Sequence, residues 1–174
     1  PALTKKLIRP TKDLKPVTMK RRALWSKPGS RIAPAEIARL QKAVNADPKD
    51  LASAVQLASR YLDLKKSKQA KSLLEKSIKH FDPKKVARAE NQEQSQLLGQ
   101  AYFQLARASG DRKAQVKHAT MSFYLAPTIG FGKQIARIIA PEKFDKRPRG
   151  DFDNRFREAT LRRLLRERKA WLKD

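Results

Sequence analysis

His80 and His118 are the only imidazoles in the chain, and no cysteine accompanies them. A transition-metal site needs several nitrogen or sulfur ligands converging on one point, and acid–base catalysis needs a second group placed beside the imidazole. The two histidines fall in segments that read as different helices and share no i, i+4 spacing, so each is expected to be a surface or edge-packed ring. Without cysteine, disulfides, thiolate nucleophiles and iron–sulfur ligation are ruled out. Asp151 and Asp153 form a carboxylate pair, but in an arginine-flanked stretch where charge compensation is the ordinary explanation. Gly130-Phe131-Gly132 before Lys133 lacks the remaining elements of a Walker-type phosphate loop and fits a helix start better. These residues point away from an enzyme, and from a metal, cofactor or small-molecule substrate.

The abundant chemistry is cationic. The chain carries 41 Lys and Arg against 17 Asp and Glu, a formal charge of +24. Self-repulsion at that charge calls for a polyanion: nucleic acid, anionic lipid or an acidic protein surface. Residues 1–31 hold ten of the basic residues and a single acid, Asp13. The ten are Lys5, Lys6, Arg9, Lys12, Lys15, Lys20, Arg21, Arg22, Lys27 and Arg31, interrupted by Pro10, Pro16 and Pro28 with no sustained apolar period. That composition reads as an extended basic arm. Trp25 beside Lys20-Arg21-Arg22 could stack on a base or fill an apolar slot while the cations meet phosphates. Arg155, Arg157, Arg162, Arg163, Arg166, Arg168 and Lys169 form a second cluster, with Trp171 at its end. Arginine's planar fork favours bidentate phosphate contacts over simple charge attraction. The cluster Lys65, Lys66, Lys68 and Lys71 is expected to be a solvated face.

The elements that must position these groups read as helices. Apolar residues at three-and-four spacing run through Ile37, Leu40 and Val44, then through Leu51, Val55, Ala58 and Leu62. The same spacing recurs through Ala70, Leu73, Leu74 and Ile78, through Leu97, Leu98, Ala101 and Leu105, and through Val116, Ala119 and Phe123. Short breaks between such segments imply antiparallel neighbours. No stretch has the alternating, β-branched character of a strand. The longest apolar run is Phe123 to Ala126, far below the ~20 residues that cross a bilayer, and no secretory signal pattern is present. Residues 128–140 carry Ile129, Phe131, Ile135, Ile138 and Ile139, a stripe suited to packing on the last hairpin. Residues 141–153 read as a linker loop and 154–174 as a basic helix with a narrow apolar stripe.

Asp47-Pro48, Asp82-Pro83 and Ala126-Pro127 are each expected to end a helix, at intervals of 35 and 44 residues, close to a helix-turn-helix solenoid period. Between the first two, Leu57, Ala58, Tyr61, Ala70, Leu74 and Ser77 stand where the tetratricopeptide repeat (TPR) has its packing residues. Leu98, Gly99 and Tyr102 repeat the first-helix pattern in a second copy with about four extra residues, read as degeneracy or a longer hairpin. The stretch 35–127 therefore resembles a short TPR array, within a helical repeat domain expected over 32–140. The resemblance implies an all-α helical-hairpin fold with a protein-binding surface, flanked by the basic arm and the basic C-terminal helix. Arms of this kind on a small helical centre resemble the lineage-added structural proteins of the mitochondrial ribosome. The expectation is a non-catalytic ribosomal subunit in the mitochondrial matrix, or alternatively the cytoplasm. Its basic termini would contact rRNA and its repeats neighbouring ribosomal proteins. The alternatives are a TPR adaptor or assembly factor, and a peripheral subunit of a large organellar membrane complex.

Overall fold

The protein is described by a computed structural model covering residues 34–89, 91–127, 129–139 and 151–173. The arm 1–31 and most of the linker lie outside the described residues. The fold is all-α: the described residues form eight helices and no strand.

Each helix start follows from local chemistry. Helix α1 (Pro34–Ala46) opens on a proline whose fixed φ suits a first helical position, and it buries Leu40 and Val44. Asp47-Pro48 follows, where a residue without an N–H cannot extend the helix. The Asp50 carboxylate accepts the Ser53 amide at 3.0 Å and caps α2 (Leu51–Asp63). Helix α2 closes in a Schellman turn: Lys65 sits at φ 59°, its amide donates to the Leu62 carbonyl at 3.0 Å, and the Lys66 amide donates to Tyr61 at 2.7 Å. The chain then turns back into α3 (Ser67–Ile78), which buries Ala70, Leu74 and Ser77. After it come α4 (Pro83–Arg88), α5 (Gln92–Ala108) and α6 (Arg112–Leu125), capped by Asp82, Asn91 and Asp111 respectively. Two more, α7 (Ile129–Ile139) and α8 (Asp151–Lys173), complete the described chain.

Packing is mostly between successive elements. Helix α2 lies on α1 and α3, α5 packs on both α2 and α3, α6 on α5, α7 on α6, and α8 across α6 and α7 with a lighter touch on α4. Two apolar clusters result. The larger joins α1 to α5 around Leu57, Ala58, Leu74, Leu98 and Leu105. The smaller gathers Phe103, Ala106, Ala119, Phe123, Ile135 and Leu164 from α5, α6, α7 and α8.

The two hairpins α2/α3 and α5/α6 differ by one turn of helix. Their connections, 64–66 and 109–111, are equally short, but α5 has 17 residues where α2 has 13. Four residues are about one turn at 3.6 per turn, so the insertion keeps the same face inward. The extra residues therefore lengthen the helix and not the connection. Asp82-Pro83 also departs from expectation. Helix α3 already ends at Ile78, and Asp82 instead starts a helix, accepting the Lys84 and Lys85 amides at 2.9 and 3.3 Å with Pro83 in the first turn. An Asp-Pro pair is both a helix stop and an ideal N-cap–N1 start, and only the following residues decide between them. The C-terminal helix begins at Asp151, earlier than the expected 154.

Candidate nucleic-acid interface

Helix α8 carries the candidate cations that the structure describes, and its two faces have opposite fates. Inward, Leu164 is 1% exposed in the smaller cluster, with Leu161 and Leu165 packed beside it. Gly132 on α7 permits this approach, because a Cβ there would collide with the Leu161 side chain and meet the Phe123 ring at 3.1 Å. Further along the same face, Arg168 Nε donates to the Tyr124 carbonyl at 2.6 Å. Burial lowers its pKa below the ordinary arginine value. The Tyr124 hydroxyl donates to Glu167 Oε2 at 3.3 Å, and its ring lies against Trp171 with centroids 5.3 Å apart. Burial, then the Glu167 charge and its hydrogen bond, push the Tyr124 pKa up to about 12 against an opposing effect of Arg163. At the helix end, Arg88 Nε donates to the Leu172 carbonyl at 3.1 Å, satisfying an orphan acceptor where the helix dipole is negative. Arg112 does the same for α7, its guanidinium donating to the Ile139 carbonyl at 2.8 Å.

Outward, Arg162, Arg166, Lys169 and Lys173 fall at intervals of four, three and four residues, all exposed. That spacing aligns them on one face of the helix over roughly 16 Å, at 1.5 Å of rise per residue. No acid lies within the stripe. Arg162 reaches Glu158 at 3.5 Å and Arg163, beside the stripe, reaches Glu167 at 3.5 Å. Both pairs are solvent-exposed, contribute little net energy and are readily exchanged for another anion. Arg166 and Lys169 have no ion-pair partner among the described residues. A line of cations on a docked, rigid backbone can hold successive phosphates of a nucleic-acid strand with little ordering cost beyond the side chains themselves.

The sequence-level candidates thus divide. Arg162, Arg163, Arg166 and Lys169 come together on the exposed side of α8. Arg168 and Trp171 are spent on docking it. Their positions signal this, since Leu161, Leu164, Arg168 and Trp171 continue one apolar stripe at three-and-four spacing. Arg155 and Arg157 belong to α8 by backbone, but their side chains lie outside the described residues, as do the arm residues Lys5, Lys6, Arg9, Lys12, Lys15, Lys20, Arg21, Arg22, Trp25, Lys27 and Arg31. The anchoring roles of Arg88, Arg112, Tyr124 and Glu167 went unread, because a helix C-terminus accepts an arginine from any part of the chain.

The nine repeat-pattern residues sit inside the two hairpins. Ala58, Ala70, Leu74 and Leu98 have no exposed surface, Leu57 and Ser77 are 2% exposed, and Tyr61 is 9% exposed. Gly99 is buried at the α5/α6 crossing, where Ser122 Oγ donates to its carbonyl at 2.6 Å. Tyr102 is half-buried, its ring 6.0 Å from that of His118. Burial, with Lys117 and Lys71, lowers the His118 pKa, against a smaller raising effect of Glu75. His80, expected in a helix, instead lies exposed in the turn after α3, and no group of three potential metal ligands exists among the described residues. No protein-family model, curated protein or solved structure matches this chain.

Proposed function

We propose that the chain is a non-catalytic structural subunit of a ribosome, the mitochondrial one in the first instance, with basic ends on rRNA and a TPR-like hairpin array on neighbouring proteins. The observation that carries the reading is the two-sidedness of α8. One face is locked to α6 and α7 by Leu164 and Arg168, while the other offers Arg162, Arg166, Lys169 and Lys173 to solvent. An arginine-rich helix held rigid by its inner face is suited to phosphate contact rather than to solvation alone. The arm adds ten further cations on 31 residues, a composition that pays for its ordering only against a polyanion. Support for the protein-binding half comes from stacked hairpins, which present extended surfaces to partners. The small residues that the TPR resemblance picks out, at positions 58, 70, 77 and 99, are all buried, which supports this reading.

The test is a sucrose gradient of organelle and of whole-cell lysate at low and high salt, following the tagged full chain. Co-sedimentation with a ribosomal particle at low salt, persisting after other lysate proteins are stripped and lost when salt screens phosphate contacts, is the expected result. A chain that stays at the top of the gradient at low salt in both lysates overturns the proposal.

A further inference from the structure

A second surface lies between α1 and α3 over α2. It is a groove of about 740 Å³, within the ~300–1,000 Å³ range of binding clefts. Lys68 and Lys76 of α3, with His80 in the turn after it, stand along one wall, and Gln41 and Asn45 of α1 along the other. Its apolar lining comes from Leu73, which is partly exposed, and from Val44, Leu57 and Tyr61, which are 9%, 2% and 9% exposed. No carboxylate lines it.

We propose that this groove is the docking site for an acidic amphipathic helix of a protein partner. Leu73 meets the partner's apolar stripe, the lysines take carboxylates, and the amides meet polar groups at the edge. Lys68 and Lys76 are eight residues apart on α3, ~12 Å along the axis, which suits two carboxylates two turns apart on the incoming helix (~10.5 Å for i, i+7). The lysine stems also cover the sides of an apolar insert while their ammonium groups stay wet.

The lining argues against other occupants. RNA would want an aromatic face for stacking or arginine forks for phosphate. The groove has no arginine, and the hydroxyl of Tyr61 is occupied, accepting from Gln41 Nε2 at 2.6 Å. The chain's own arm, with ten cations and one acid, and a second copy at +24 are both repelled by a cationic groove. This proposal rests on the protein-contact half of the function above and is independent of the RNA half.

The probe is a fluorescein-labelled helical peptide of about 16 residues, ~24 Å long, with glutamates seven apart flanking a leucine stripe, titrated into the full chain. Lys68→Glu/Lys76→Glu should weaken binding at least ~10-fold, whereas Lys113→Glu/Lys117→Glu, the same charge change on α6, should weaken it less than ~3-fold. Equal losses for both pairs would reduce the effect to bulk attraction and overturn the site. Amide NMR gives the second readout. The peptide should shift Gln41, Asn45 and Ser72, and shifts confined to Arg162–Lys173 overturn the proposal. Purified ribosomal RNA should leave the groove amides unmoved; if RNA shifts them and the peptide does not, the groove belongs to RNA. Retained peptide binding in a chain that binds no RNA upholds this site while rejecting the rRNA reading.

Discussion

At Gly99 the backbone of α5 comes so close to α6 that a Cβ would lie 2.9 Å from that of Ala126 and 3.2 Å from the Ser122 carbonyl. Gly99→Ala must therefore push two helices apart, at a cost of about 1–3 kcal/mol, seen as a lower urea midpoint at unchanged slope. Lys65 offers the reverse case. Its φ of 59° carries a left-handed penalty of about 1–2 kcal/mol, which Lys65→Gly removes, while the added freedom of the unfolded chain takes back about 0.5–1 kcal/mol. The expected net result is a small rise in melting temperature. Tyr124 makes α8 docking sensitive to alkali. Its pKa is raised from 10.0 to about 12 in the fold, so its contribution is complete below 10 and disappears as pH climbs through about 12. Tyr124→Phe should flatten that part of the stability-versus-pH curve, and an unchanged alkaline fall in the variant refutes the assignment. Gly99 was legible because a Leu-Gly pair at a helix crossing has a packing reason. Arg168 was grouped with the outward cations on residue type alone, although its place in the Leu161, Leu164 and Trp171 stripe signalled the inner face.

Leu164 is the apolar pin of α8, fully enclosed by side chains from three other helices. Leu164→Asp buries an unpaired carboxylate there, and it should detach α8 without unfolding the first hairpin, which belongs to the other cluster. Hydrogen exchange checks this: faster exchange across Thr160–Trp171 with unchanged protection at Leu57, Ala58 and Leu74 is expected, and global acceleration contradicts it. The long helices were readable because a 3.6-residue period persists over several turns. Helix α4 was not, since six residues are too few to display a period, and its cap doubles as a stop signal. The one-turn extension of α5 was visible only as four surplus residues. Sequence spacing cannot say whether surplus residues enter a loop or a helix, but a full turn preserves the buried face and an added loop would not need to be that length.

Taken whole, the molecule has two charge regimes that respond oppositely to salt. Within the isolated chain, +24 repels itself, and screening relieves that repulsion, so thermal stability should rise with ionic strength. Binding to RNA should fall over the same range, because each phosphate neutralised releases counterions. The exposed stripe of α8 sets the size of its share. Four cations, Arg162, Arg166, Lys169 and Lys173, contribute a slope of about −2.8 in log K against log salt on single strands, or about −3.6 on duplex. Between 50 and 200 mM salt that is a loss of roughly 50- to 150-fold. Replacing all four with glutamine should make the slope shallower by about three while leaving the urea midpoint nearly unchanged, since none of them docks the helix. Arg168→Gln should behave differently, destabilising α8 with little change in slope, because its guanidinium is occupied by the Tyr124 carbonyl. If the quadruple variant keeps the native slope, the phosphates are held elsewhere and the outward face of α8 is only a solvated surface. If the slope flattens as expected, charge in excess of folding needs has been placed where a rigid helix can aim it.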